Sequence, residues 1–230
     1  MNEFLSQSAF FGTFLSLLFF EVGTLLKKRF RSVLVNPLLI ASDLTVSFLL
    51  IFDIDYPTYK KSAQLLSTLL TPATVCLAIP LYEQFELLRK NRRAVLCGIV
   101  AGSFASMLII LVFCLLCGLS HAEYVTLLPK SVTSAIGMGI SEKMGGYPAL
   151  TTAMIILSGI TGNIIAEPLC RFAHITEPVA KGVGIGTASH AIGTSKAMEM
   201  GEIEGAMSGL AICVAGLVTV VGAMVFERLY

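Results

Sequence analysis

The chain has 230 residues, 55 % of them hydrophobic and only 13 % charged, with a net charge of +1 and a mean hydropathy of +0.82. Soluble domains average about 25 % charged residues, so a chain this apolar lacks the polar surface a water-exposed globule needs. The net charge says nothing about nucleic acid, but no basic cluster is interleaved with aromatics and no nucleic-acid partner is expected; the composition points to an all-α polytopic protein whose first partner is the lipid bilayer.

Apolar runs predict six membrane spans, at about 8–26, 32–52, 62–82, 94–117, 147–169 and 203–226. Each is near the roughly 20 residues that cross about 30 Å of hydrocarbon. Lys27, Lys28, Arg29 and Arg31 follow the first span, and Arg89, Lys90, Arg92 and Arg93 follow the third. The loop after the second has only Lys60 and Lys61 beside Asp53 and Asp55, and the loop after the fourth has no basic residue. Cytoplasmic loops carry the basic excess, so the N-terminus is expected outside. The basic residues follow the first apolar run, which is not the order of a cleavable signal peptide. With no Ser/Arg-rich transit segment either, a bacterial plasma (inner) membrane is expected. Cys114 and Cys117 form a CxxC pair near the end of a span, with no second pair nearby, and read as small hydrophobes more readily than as a metal or redox site.

Two stretches depart from ordinary spans: Leu128–Gly146 (LPKSVTSAIGMGISEKMGG) and Lys181–Lys196 (KGVGIGTASHAIGTSK). Between Lys130 and Glu142 lie eleven residues, and between Lys181 and Lys196 fourteen. Fourteen helical residues reach about 21 Å, short of a crossing. Gly, Ser and Thr are dense in both, and such backbone survives at membrane depth only where protein or water covers it. Interrupted apolar segments of this kind point to a transporter's binding site. An internal echo links them to a third place. Pro72–Pro80 aligns without gaps on Pro129–Gly137 at an offset of 57 residues, and Ser189–Gly193 repeats the tail of the second copy at an offset of 56. Either chance or an ancestral duplication producing facing broken helices accounts for it.

The blocks LLTPATVCLAIPLYEQ (Leu69–Gln84), LLPKSVTSAIGMGISEKMGG (Leu127–Gly146) and GIGTASHAIGTSKAMEMGE (Gly184–Glu202), with the earlier Asn36-Pro37-Leu38-Leu39, resemble the signatures of the LrgB/CidB family. The resemblance covers nearly the whole chain. That family includes bacterial proteins described as antiholin-like, acting with a smaller LrgA/CidA-type membrane partner, and the plastid glycolate/glycerate translocator, where both portions are fused. The resemblance implies export or exchange of small 2-hydroxy or 2-oxo carboxylates such as glycolate, lactate or pyruvate, coupled to H⁺ or Na⁺ or run as exchange. The older description implies control of murein hydrolase activity and lysis. An LrgA/CidA-like partner and a homo-oligomer are expected, without a bound cofactor.

Within these blocks, His190 is embedded among Thr187, Ser189, Thr194 and Ser195. It could carry a coupling proton or pair with a carboxylate, or bridge two helices as a neutral ring. Lys130 follows Pro129, which predicts the start of a half-helix there. Its free N–H groups and dipole, with Ser131, Thr133 and Ser134, would seat a carboxylate; the competing reading is a lysine snorkelling to head groups. Lys196 could serve the same anion or mark a boundary. Thr74, Asn36 and Asn163 complete the candidate substrate contacts, the last in a small-residue segment that packing alone explains. No paired Asp, HExxH or Gly-x-Ser-x-Gly pattern supports an enzyme.

The expected architecture is one domain over residues 1–230, with scaffold spans in 1–61 and a transport core in 62–230. If Pro129–Gly146 dips in from outside and returns, and Lys181–Lys196 enters from the cytoplasm, two half-helix tips face each other near mid-membrane; if both stretches cross fully, they run parallel instead.

Overall fold

The computed structural model describes residues 10–30, 35–76 and 78–230. Arg31 of the first basic cluster, and the residues before Phe10, lie outside the described residues. Every regular element among the described residues is helical. The chain divides into two compact units, Met1–Cys76 and Leu77–Tyr230.

The first unit holds α1 (Phe11–Phe30), α2 (Pro37–Ile51), α3 (Tyr56–Ser62) and α4 (Gln64–Cys76). Asn36 starts α2: its side-chain oxygen accepts from the N–H groups of Leu38 (2.9 Å) and Leu39 (3.2 Å), while Pro37 takes the first helical position, where no N–H is needed. α1 is stitched to α3 by polar contacts, Gly12 N–H to Ser62 Oγ at 2.9 Å and Ser16 Oγ with Tyr59 Oη at 2.7 Å. Phe19 packs on Phe48, which packs on Phe52.

The second unit holds α5 (Ala78–Glu83), α6 (Phe85–Cys117), α7 (His121–Leu127), α8 (Ser134–Lys143), α9 (Pro148–Phe172), α10 (Pro178–Met200) and α11 (Glu202–Phe226). Among the described residues, three helices are long and apolar enough to cross a membrane: Arg89–Cys117, Pro148–Phe172 and Glu202–Leu229. They correspond to the expected spans at 94–117, 147–169 and 203–226. No described helix of that length and apolarity matches the other three. α1 carries Glu21 and a Lys27-Lys28-Arg29 end, α2 has only 15 residues, and the 62–82 run falls on the shorter α4 and α5.

α7 starts on a capping box, in which the Ser120 side chain accepts from the Glu123 N–H and the Glu123 carboxylate accepts from the Ser120 N–H. Its helix stops where Pro129 has no N–H to donate. Two tight turns follow, Lys130 N–H to Leu127 O and Val132 N–H to Pro129 O. Lys130 therefore sits in a turn, not at a helix start as expected. The helix begins four residues later, with Thr133 as N-cap and Ser134 first inside α8. α8 returns along α9, where the Thr151 hydroxyl lies 2.8 Å from Ser141 Oγ and 3.0 Å from the Thr126 carbonyl oxygen. α7 and α8 thus make one hairpin, packed on α6 and α11 through Met107, Cys114, Leu128, Ile140 and Ala223.

α10 is broken at His190 (φ 42°, ψ −141°), and the chain folds back there. Ile185 before the break and Ala197 after it pack together on Ala166, although twelve residues of straight helix would separate them by about 18 Å. α9 records the reversal. His190 meets Ile155, Asn163 meets Ile192, and Lys196 meets Glu167, so residues 190–196 retrace α9 in the direction from which the first arm came. Glycines let the first arm lie against its neighbours. A Cβ at Gly186 would run into the backbone of Ser208, and one at Gly102 would sit 3.0 Å from Thr187 Cγ2.

Candidate functional site

The two hairpin tips converge on Ile155 of α9. From one side comes α8, whose Gly137 has no room for a Cβ beside the Ile155 side chain. From the other comes the break in α10, with His190 Nε2 2.9 Å from the Ile155 carbonyl oxygen. A carbonyl only accepts, so Nε2 carries the proton, and His190 bridges the hairpin tip to α9. The ring also lies over Gly159, where a Cβ would come within 2.7 Å of Cε1. Thr194 secures the arm behind the break: its hydroxyl donates to His190 O (2.9 Å) and lies 2.7 Å from Ser208 Oγ.

α6 runs alongside both tips, and its hydroxyls complete the cluster. Lys130 Nζ donates to Ser131 Oγ (3.1 Å) and Ser106 Oγ (3.4 Å), and the two serine oxygens are 2.9 Å apart. One turn earlier on α6, Ser103 is 3 % exposed; Thr187, packed on the adjacent Gly102, is 5 % exposed. Neither hydroxyl has a hydrogen-bond partner among the described residues. The half-buried ammonium and the two hydroxyls facing it can donate to a small anion, and two further hydroxyls on the packed helices α6 and α10 are unsatisfied.

Of the residues expected from the sequence, Lys130 and Ser131 meet Ser106 of α6, Thr187 packs at Gly102 of the same helix, and His190 bonds Ile155 O of α9. Thr133 and Ser134 begin the adjoining helix. Ser189 is buried at the other tip, its side chain occupying the space that a Cβ on Gly162 would need. Asn163 braces the second arm, its amide donating to Ile192 O (2.9 Å) and Ser195 Oγ (3.1 Å). Lys196 is elsewhere. It pairs with Glu167 (2.9 Å) and Glu199 (3.3 Å) on a cavity of about 530 Å³ at the open end of the α10 hairpin, which Lys181 and Glu204 also line. Lys196 is therefore neutralised by carboxylates and does not share an anion with Lys130. Asn36 caps α2 in the other unit, and the side chain of Thr74 lies outside the described residues. Ser103, Ser106 and Ser208 were not singled out from the sequence. The available signal was a Gly-Ser-x-x-Ser spacing inside an apolar span, which places two hydroxyls on one helix face.

The profile of the LrgB-like family matches residues 16–229. The chain is 36 % identical over 217 residues to the antiholin-like protein LrgB of Bacillus cereus (strain B4264) and, to the same extent, to that of Bacillus anthracis (strain A0248), covering 94 % of both chains in each case. No solved structure matches. With a family profile spanning almost its full length and relatives this similar, the chain belongs to the LrgB-like family.

Proposed function

We propose that this protein is a membrane transporter that exports or exchanges small 2-hydroxy or 2-oxo carboxylates such as glycolate, lactate or pyruvate. The observation that carries the reading is Lys130, turned onto Ser106 and Ser131 at the meeting of two hairpin tips. A cation inside an apolar protein is costly unless paired or functional, and here its neighbours are neutral hydroxyls, so a transient carboxylate would supply the missing charge. Broken segments meeting between crossing helices are the arrangement in which rocking or elevator movement exposes one site to each face in turn. In this reading the protein resides in the bacterial plasma membrane with its N-terminus outside. It works as a homo-oligomer with a small LrgA/CidA-like membrane partner, couples to H⁺ or Na⁺ or runs as an exchanger, and performs no chemistry on its cargo.

The test is uptake of labelled glycolate, lactate and pyruvate into proteoliposomes containing the full chain, with and without the partner. Lys130→Ala should reduce uptake at least tenfold and Lys130→Arg less. Absence of specific uptake with both proteins present rejects the reading.

A second reading, a holin/antiholin-like modulator of murein hydrolase activity and lysis, is favoured by the names of the relatives, which are antiholin-like proteins. A nonselective pore needs a hydrated lining but no discrete anion seat. Its conductance would therefore survive Lys130→Ala and His190→Ala.

A further inference from the structure

We propose that Ser103 and Thr187 form a subsite that recognises the oxygen on the carbon next to the carboxylate, and that this pair sets the preference for 2-oxygenated acids over plain ones. The proposal rests on the carboxylate-transport reading and adds to it a division of labour within the seat.

Three observations carry it. First, Ser103 and Thr187 are both buried, and neither hydroxyl has a partner among the described residues. By contrast, Ser131 is engaged with Ser106 and Thr194 with Ser208. Buried hydroxyls are ordinarily hydrogen-bonded, so two orphans in one place call for an explanation. A serine or threonine in a helix can satisfy itself on the carbonyl four residues back, as Ser16, Thr45 and Thr194 do here; these two do not.

Second, the two orphans come from helices that pack against one another. Thr187 Cγ2 sits 3.0 Å from where a Cβ on Gly102 would be, and Ser103 is the next residue of α6. Third, the pair lies next to the charge. Ser106, which accepts from Lys130, is three residues beyond Ser103, a rise of about 4.5 Å on the same helix face. A carboxylate on Lys130, Ser106 and Ser131 would have its neighbouring carbon reaching toward Ser103 and Thr187. A hydroxyl there can exchange hydrogen bonds with both side chains, and an oxo group can accept from both. Acetate leaves them unsatisfied, and a site built to bond a ligand oxygen discriminates strongly against the analogue that lacks it.

The test uses the full chain with its partner in proteoliposomes, measuring counterflow of labelled glycolate against unlabelled glycolate, pyruvate, acetate and propionate. Wild type should favour glycolate and pyruvate over acetate and propionate. Thr187→Val, which keeps the shape, and Ser103→Ala should each reduce that preference about tenfold, whereas Thr187→Ser should retain most of it. Thermal unfolding of the same variants excludes a folding defect. Removing an unpartnered buried hydroxyl should leave Tm unchanged or raise it, whereas a structural hydroxyl would lower it. An unchanged preference in both Thr187→Val and Ser103→Ala, or a fall in Tm that accounts for the lost flux, overturns the subsite while leaving carboxylate transport standing. Absence of carboxylate counterflow in wild type overturns both.

Discussion

His190 holds φ at 42°, a conformation that costs a non-glycine residue on the order of 1–3 kcal/mol and persists only where surroundings enforce it. Here the enforcement is the bond from Nε2 to Ile155 O and the hydroxyl of Thr194 on the His190 carbonyl. Both His190→Ala and His190→Gly lose the first of these, but glycine adopts positive φ without a Cβ clash. Thermal unfolding should therefore find His190→Ala less stable than His190→Gly by about 1 kcal/mol; equal stability would mean the break is unstrained. Glu123, outside the three crossing helices, is an acid with a legible role. The Ser120 hydroxyl, and then the Ser120 N–H, hold its carboxyl below the ordinary carboxylate range. A lowered folded-state pKa contributes stability that is present above the unfolded value, about 4.3, and is lost as pH falls through the folded one. Amide protection in α7 should weaken on acidification below pH 4, and Glu123→Gln should remove that dependence. The Ser120/Glu123 box could be read from the sequence, because its spacing is local. The His190 strain could not, because it is held by contacts with Ile155 and by the packing around the break, which are remote in the chain.

At the scale of the element, the α10 hairpin depends on glycines facing particular backbone atoms. A Cβ on Gly186 would meet the carbonyl oxygen and Cα of Ser208, which belong to α11 and cannot swing aside. Gly184, two residues earlier, has nothing within 4 Å. Gly186→Ala should destabilise the protein by about 1–3 kcal/mol through overpacking. Gly184→Ala should be neutral or stabilising by up to about 1 kcal/mol through helix propensity. Thermal unfolding of the pair checks the asymmetry, and similar losses in both would contradict this packing. Glycine density and shortness identified the 181–196 stretch as interrupted, since neither suits a plain span. Its reversal was not legible. A break and a reversal have the same composition, and only the packing of Ile185 and Ala197 on Ala166 separates them. The turn at Lys130 was misread for a related reason: Pro129 is compatible both with opening a helix and with closing one.

At the scale of the whole molecule, the two hairpins of the second unit open toward opposite ends of α9. Lys143 closes α8 just before α9 begins at Pro148, whereas Glu199 shares Lys196 with Glu167 near the end of α9 at Phe172. A 25-residue helix is about 37 Å long, enough to separate the two membrane faces. With the six native cysteines replaced, single cysteines at Lys143 and Glu199, both exposed, should be labelled by an impermeant maleimide from opposite sides. Labelling of both from one side would rule out opposed hairpins in the membrane.

The sequence by itself determined the helical membrane class, the family and the two stretches that are not ordinary spans. All of these follow from composition, spacing and residues close in the chain. Only the tertiary structure decided that the tips meet at Ile155, that Lys130 turns to Ser106, that Lys196 belongs to a separate group of carboxylates, and that Ser103 and Thr187 are left without partners. The physical reason is that a hydroxyl or an ammonium in an apolar run is defined by what it faces. Here the facing groups come from helices separated by 24 to 85 residues of chain, from Lys130 on Ser106 to Thr187 against Gly102.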